Sequence, residues 1–149
     1  MIDNKKDIEG FEIVSEKSIE LDKNVFFKML AGAEAGLTLT VERTGKFFKS
    51  KYDPNKTGCF IDYSFIKDSK KYEVGIYYNL GNASEDGKVT LTSNMNIFRI
   101  LEIVVDLTEA NEIRVTEEFI ENVLTGATFI AELGTGYNGG FLIEPMKLI

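Results

Sequence analysis

The sequence contains no histidine, one cysteine and two prolines among its 149 residues. The absence of histidine removes the usual general base near neutral pH and the commonest transition-metal ligand, which argues against zinc sites and Ser-His or Cys-His nucleophiles. The single cysteine, Cys59, cannot form an intramolecular disulfide, and its neighbours predict a small buried side chain. We therefore expect no catalytic residue, no metal and no cofactor.

Long apolar runs are also missing. No stretch approaches the roughly 18 residues of a membrane-spanning helix, and the first ten residues have no apolar signal-peptide core. We expect a cytoplasmic protein that does not contact a membrane. The length predicts one domain, residues 11–149, preceded by a polar arm of mixed charge at residues 1–10. Such an arm is either a flexible end or a contact to a neighbouring subunit of a homo-oligomer.

Aromatic and basic residues are concentrated in residues 43–78, RTGKFFKSKYDPNKTGCFIDYSFIKDSKKYEVGIYY. These 36 residues hold nine of the 17 aromatic residues, with eight basic and four acidic ones, a net charge of +4. The rest of the chain therefore carries −11 within a total of −7. Phosphates bind lysine and arginine, and unstacked bases stack on flat rings. Interleaved cations and rings on strand-like sequence thus favour a surface for single-stranded nucleic acid.

The same stretch has a second interpretation, a β-hairpin whose rings fill a core and whose lysines face solvent. Alternation predicts Phe60 and Tyr77 on one face, with Tyr63 and Tyr78 on the other. Gly75, beside Tyr77, either leaves room for a stacked base or marks a bulge. A one-residue error in register would exchange the two pairs of rings, so the assignment of faces decides which of them a ligand could reach.

Hydrophobic periodicity predicts strands interrupted by helices. The predicted helices are residues 25–36, 95–107 and 117–124, and the main predicted strands are residues 37–48, 59–66, 72–80, 127–133 and 141–148. Residues 134–139, GTGYNG, match the dinucleotide-binding pattern G-x-G-x-x-G, but that site requires a helix to begin there. Because Asn138-Gly139 instead predicts a tight turn between two strands, we expect no dinucleotide site.

Three strands, a helical insertion and a closing pair are the element order of an OB barrel, whose binding face crosses the second and third strands. We therefore predict an α+β fold, mainly β with helices: a five-stranded OB-like barrel with a helical insertion between strands 3 and 4 and an extra N-terminal helix. The runs GKFFKSKYDP, FIDYSF…KYEVGIYYNLG, MNIFRILEIVVDL and LTGATFIAELG…YNGGFLIEP resemble the OB-fold single-stranded-DNA-binding proteins of Gram-positive phages and conjugative plasmids. The resemblance covers about residues 37–149. The sequence departs from the cellular relatives in having no tryptophan and no long acidic tail.

The resemblance implies sequence-tolerant binding of single-stranded DNA, often with oligomerisation along the strand. We expect a non-enzymatic protein that coats single-stranded DNA during phage or plasmid replication or conjugation, with RNA left open as a ligand. The predicted nucleic-acid-binding residues are the basic Arg43, Lys46, Lys49, Lys51, Lys56, Lys70 and Lys71 and the aromatic Tyr52, Phe60, Tyr77 and Tyr137.

Two other classes of function stay open at this level. The first is a protein-interaction module, such as a phage or plasmid inhibitor or assembly factor, that acts through the acidic remainder of the chain. The second is an enzyme that uses carboxylates and a divalent metal. The sequence offers no clustered acidic motif for it.

Overall fold

The computed structural model describes residues 5–14, 17–136 and 138–149. Strands and helices alternate along these residues in the order β1 (Ile19–Glu20), α1 (Lys23–Ala31), β2 (Leu37–Thr44), β3 (Phe48–Lys49), β4 (Thr57–Lys67), β5 (Lys70–Gly81), β6 (Val89–Thr92), α2 (Asn96–Glu102), β7 (Glu112–Val115), α3 (Glu117–Leu124), β8 (Thr128–Thr135) and β9 (Phe141–Leu148). The mixture of helices and strands that the sequence predicts is therefore present.

Seven strands form one mixed sheet in the order β1-β5-β4-β2-β8-β9, with β3 paired to β4 beside β2. The pairing of β1 with β5 is parallel, and the other pairings in this sheet are antiparallel. A second sheet consists of β6 and β7. The closing hairpin β8–β9 confirms the strand prediction around Asn138-Gly139 and leaves no helix start for a dinucleotide site.

The predicted five-stranded barrel is wrong, because in the described residues the main sheet is open: no strand pairing joins β5, which carries the short edge strand β1, to the other edge strand, β9. The space between these strands is lined by Phe27 of α1, Ile97 of α2 and Phe141 at the start of β9. The rings of Phe27 and Phe141 lie 6.0 Å apart. Side chains of α1 and α2 therefore line this space, and no strand pairing closes it in the described residues.

One face of the main sheet carries the core, and the helices cover it. Every second side chain of β4 and β5 points inward, among them those of Ile61, Tyr63 and Ile76. Phe26 of α1 and Phe98 of α2 are almost fully buried against this face. In the described residues, the opposite face of β4 and β5 is approached by a helix only at Lys23, the first residue of α1, and several side chains on it, among them Phe60 and Tyr77, are exposed to solvent.

Local capping signals fix two of the three helices in the described part of the chain. Asp22 caps α1 by accepting a hydrogen bond from the Asn24 backbone N–H at 2.8 Å. Thr116 caps α3 by accepting from the Phe119 N–H at 3.0 Å, and α3 has the predicted limits. Aspartate and threonine are residue types that favour the N-cap position, so the sequence itself indicates both caps.

Helix α2 is shorter than predicted and ends at Glu102. The residues that follow it are β-branched, Ile103, Val104 and Val105, which lose side-chain freedom in a helix. Asp106 then accepts a hydrogen bond from the Thr108 N–H at 3.0 Å and stabilises a turn. Periodicity alone extends the helix because the apolar pattern continues past the point where the backbone leaves it.

No helix within the described ranges is long and apolar enough to cross a membrane.

Candidate nucleic-acid interface

Three aromatic side chains meet on the uncovered face of β4 and β5, and we call Phe48, Phe60 and Tyr77 the aromatic cluster. Phe60 and Tyr77 lie directly opposite each other in the β4–β5 pair, with ring centroids 5.6 Å apart. Phe48 stacks on Phe60 at 5.8 Å and 13° and lies 6.0 Å from Tyr77. These rings stay 40%, 47% and 41% exposed, in the order Phe48, Phe60, Tyr77. They therefore contact one another and still offer flat faces to solvent.

The assignment of faces in β4 and β5 is confirmed. Tyr63 and Tyr78 are 0% and 5% exposed and lie on the inner face, where their hydroxyls hydrogen bond at 2.7 Å. Cys59 is also fully buried, as expected. Burial raises the pKa of the Cys59 thiol to about 12 and raises the pKa of both tyrosines. The inner pair belongs to the core, which leaves the outer pair for a ligand.

Two glycines of the uncovered face allow close approach of side chains: Gly58 lies under the Tyr77 ring, and Gly75 lies under the Asp62 carboxylate. A Cβ at Gly58 would come within 2.3 Å of the Tyr77 ring, so Tyr77 lies directly over this glycine. Gly75 pairs in register with Asp62, and the one irregularity in the β4–β5 pairing falls between Thr57 and Gly58, so Gly75 does not mark a bulge. The glycines are needed here for close approach of a side chain, not for an unusual backbone angle.

The loop between β3 and β4 forms one wall of a groove beside the aromatic cluster. The Ser50 N–H donates to the Lys56 carbonyl at 2.8 Å, and the Lys56 N–H donates to the Asp53 carbonyl at 2.9 Å, which closes the loop. Tyr52 is 87% exposed at its tip, and the Lys51 ammonium lies 5.1 Å from the centre of the Tyr52 ring. The loop thus holds a cation and an aromatic ring at the edge of the groove.

We call this depression the aromatic groove; its volume is about 630 Å³. Its lining consists of the aromatic cluster with Lys23, Lys49, Ser50, Lys51, Tyr52 and Gly75. Among the described residues that line it there are three lysines and no carboxylate. In a chain with seven more acidic than basic residues, this is a local reversal of charge beside a set of exposed rings.

The structure brings five of the predicted site residues into the aromatic groove: Lys49, Lys51, Tyr52, Phe60 and Tyr77. Lys56 lines a different cleft, and Lys46 and Lys70 are exposed away from the groove lining. Tyr137 lies outside the described residues.

Arg43 and Lys71 lie on the uncovered face but are engaged by acids. Arg43 is directly opposite Asp62 in the β2–β4 pair, donates to it from Nε at 2.8 Å, and also pairs with Glu73. These hydrogen bonds, the one to Asp62 first, raise the pKa of the Arg43 guanidinium. The Lys71 ammonium lies 3.2 Å from Glu42. Both cations are therefore partly neutralised.

Glu42, the acid that pairs with Lys71, has its own pKa changed by its neighbours. Its carboxylate accepts a hydrogen bond from the Ser64 hydroxyl, and this bond, followed by the contact with Lys71, holds the pKa of Glu42 below its ordinary value. The carboxylate is therefore firmly ionised at neutral pH, and it reduces the charge that Lys71 can offer to a phosphate.

Sequence reasoning missed two residues of the groove, Phe48 and Lys23. Phe48 joins because the short β3 pairs with Gly58 of β4 and places the ring beside Phe60. The alternation of Phe48 with Phe47 in a strand could have indicated one outward ring. Lys23 joins from the start of α1, 25 positions before Phe48 in the sequence, and no local pattern signals that contact.

A metal centre finds no support in the part of the chain that the structure describes. No three acidic or thiol side chains there come together as a metal ion would require.

No protein-family model matches the chain, and no curated protein or solved structure is significantly similar to it. The geometry of the uncovered face therefore carries the functional argument.

Proposed function

We propose that this protein binds single-stranded nucleic acid, DNA in the first place, through the aromatic groove, and that it does so without catalysis. The observation that carries the proposal is the aromatic cluster itself: three mutually contacting rings that remain about half exposed, in a groove whose described lining has three lysines and no carboxylate. Bases present a π-face whatever their identity, so stacking on such rings is tolerant of sequence.

Single strands fit this surface better than duplexes. In a duplex the faces of the bases are stacked on each other, and phosphates are the groups that a shallow surface reaches. The groove offers Lys49 and Lys51 for phosphates but also exposes apolar ring faces, which only unstacked bases can cover. In the cell, the activity we propose would coat single-stranded DNA during the replication or transfer of a phage or plasmid.

The partner proposed besides nucleic acid is a second copy of the chain. Supporting this, apolar side chains are exposed in the arm and directly after it: Ile8 of the arm is 62% exposed, and Phe11 and Ile13, which follow the arm, are 74% and 69% exposed. A homo-oligomer held through the arm would cover them. The homo-oligomer is predicted from the composition of this segment, and the prediction does not depend on the aromatic groove.

Fluorescence anisotropy tests the binding proposal directly. A labelled oligo-dT of about 30 nucleotides is titrated with protein at several salt concentrations, and the matching duplex is titrated in parallel. We expect single-strand binding that weakens with salt, with a log-log slope of about −0.7 for each phosphate contact, and much weaker duplex binding. Absence of single-strand binding at low salt would overturn the proposal in favour of a protein-interaction module with an acidic surface.

The lysines of the groove give a second measurement with a matched control. Lys49→Gln/Lys51→Gln removes two phosphate contacts, so the salt slope should become shallower by about 1.4. Lys147→Gln removes an equally exposed lysine from β9, three strands away from β4. The control should bind with the wild-type slope. If both variants lose affinity equally, net charge rather than the groove explains the binding.

A further inference from the structure

A second depression lies beside the far end of β5, and we call it the asparagine cleft. Its volume is about 730 Å³. The polar side chains that line it include Asn79, Asn94, Asn138, Lys56 and Arg99. No carboxylate belongs to the lining that the structure describes. The cleft is thus the second place where the charge balance of this acidic chain is locally reversed.

Three of the four asparagines that line the cleft accept hydrogen bonds through their side-chain oxygens, whereas the fourth, Asn96, donates its NH₂ group to the Ile143 carbonyl at 2.8 Å and does not offer it to a ligand. The Asn79 side-chain oxygen accepts from the Gly81 N–H at 2.9 Å, and the Asn138 oxygen accepts from the Gly140 N–H at 3.1 Å. The Asn94 oxygen accepts from the Thr92 hydroxyl. With the oxygens already bonded, each of these three amides keeps its NH₂ group for a ligand. Such groups suit a ligand rich in acceptor oxygens.

Two cations complete this set of donors. Lys56 is an exposed lining residue, and Arg99 of α2 forms an ion pair with Glu144 of β9, which fixes the guanidinium and partly neutralises it. An arginine fixed in this way keeps further N–H groups for a second acceptor, since guanidinium carries five. Ammonium, guanidinium and amide donors around one cleft are the groups that recognise phosphate oxygens.

A small depression along β5 lies between the cleft and the aromatic groove. Tyr77 borders both the groove and this depression, and the depression shares Asn79 and Asn96 with the asparagine cleft. From Tyr77 to Gly81 the chain runs along β5 for roughly 13 Å, at about 3.3 Å per residue. A strand bound in the groove therefore reaches the cleft without leaving the surface.

The opposite side of the groove is closed to phosphates by charge. Beyond Gly75, which borders the aromatic groove, the neighbouring depression is lined by Glu20, Asp62 and Glu73 around Arg43. Three carboxylates against one arginine leave this side negative, and it repels a polyanion. The two ends of the groove thus differ in sign, and only one of them favours the backbone of a nucleic acid.

We propose that the asparagine cleft is a second subsite, which binds the phosphodiester backbone of the same single strand whose bases stack in the aromatic groove. The strand leaves the groove past Tyr77 toward the cleft and not across Asp62 and Glu73. This inference rests on the proposed function and adds a direction and a minimum length to it. A ligand that fills only the groove gains nothing from the cleft.

The test compares oligo-dT of about 4 and about 12 nucleotides, within the range of known single-strand sites. The cleft variant, Lys56→Gln/Asn79→Ala, should bind the short oligonucleotide within twofold of wild type. Its dissociation constant for the long one should rise about tenfold, because it loses a charge-assisted contact and an amide contact. The salt slope for the long oligonucleotide should become shallower by about 0.7. Lys147→Gln is the matched control, and thermal melting checks that each variant is folded.

The outcomes separate this inference from the proposed function. If Tyr77→Ala weakens binding of both oligonucleotides while the cleft variant keeps wild-type affinity for the long one, the groove stands and the cleft proposal is overturned. If wild-type protein binds neither oligonucleotide, the proposed function fails and the cleft proposal fails with it. A length-dependent loss in the cleft variant alone supports the second subsite.

Discussion

The two faces of the β4–β5 hairpin carry similar residues in opposite situations. On the inner face Tyr63 and Tyr78 are buried, and each satisfies the hydroxyl of the other at 2.7 Å. On the outer face Phe60 and Tyr77 contact each other at 5.6 Å and remain about half exposed. Rings of the same kind therefore stabilise the fold on one side and are left for a ligand on the other.

The outer face is itself divided in two. Toward the β3–β4 loop, cations stand beside rings and no described carboxylate lines the groove. Toward β2, Arg43 and Lys71 face Asp62, Glu73 and Glu42. On this outer face, Arg43 and Lys71 offer less charge to a phosphate than the lysines of the groove, because the sheet places acids beside them. Three measurements test the different roles of the two faces.

The largest effect is expected from the outer rings. Phe60→Ala/Tyr77→Ala removes two stacking faces, each worth about 1–3 kcal/mol, so affinity for oligo-dT should fall by roughly a hundredfold or more. The free energy of unfolding should change by less than it does for an inner-face variant, because both side chains are already partly exposed. Anisotropy and urea denaturation measure the two effects. Unchanged affinity in a folded double variant would contradict the proposed division of the faces.

The inner tyrosines should show the reverse behaviour. Tyr63→Phe leaves the Tyr78 hydroxyl buried without its partner, which costs about 1–3 kcal/mol of stability. Tyr63→Phe/Tyr78→Phe removes both hydroxyls and should cost less than the sum of the single changes, since no polar group is stranded. Urea denaturation of the three variants gives this cycle. Affinity for oligo-dT should stay at the wild-type value, and a selective loss of affinity in Tyr63→Phe would contradict the assignment.

The smallest effect is a loss of stability in alkali that originates on the inner face. The pKa of the buried Cys59 thiol is raised to about 12, and an unfolded cysteine titrates near about 8.5. Between these values the folded state binds more protons than the unfolded one, so the free energy of unfolding falls as pH rises, by up to about 1.4 kcal/mol per pH unit. Cys59→Ala should lose less stability than wild type between about pH 8.5 and 10. The raised pKa values of Tyr63 and Tyr78 add a further fall above about pH 10 in both proteins.

Sequence reasoning located the uncovered face because strand alternation is a local property. Phe60 and Tyr77 point outward as the period of two requires, and Lys49, Lys51 and Tyr52 lie between the predicted strands 37–48 and 59–66. The limits of α3 were also predictable, because its cap and its first residues are adjacent in the chain. Phe48 and Lys23 were missed, since they reach the groove through pairing and packing between distant parts of the chain.

Three features follow from the sequence alone: the concentration of rings and cations in residues 43–78, the alternation that divides them between two faces, and the caps of α1 and α3. That the sheet stays open between β5 and β9 is seen only in the tertiary structure, where Phe27 and Ile97 line the space between these strands. The pairing of Arg43 with Asp62 and Glu73, which partly neutralises it, also depends on the tertiary structure. Side-chain period follows from the backbone of a few neighbouring residues, whereas closure and ion pairing depend on which segments, far apart in the chain, come to share a surface.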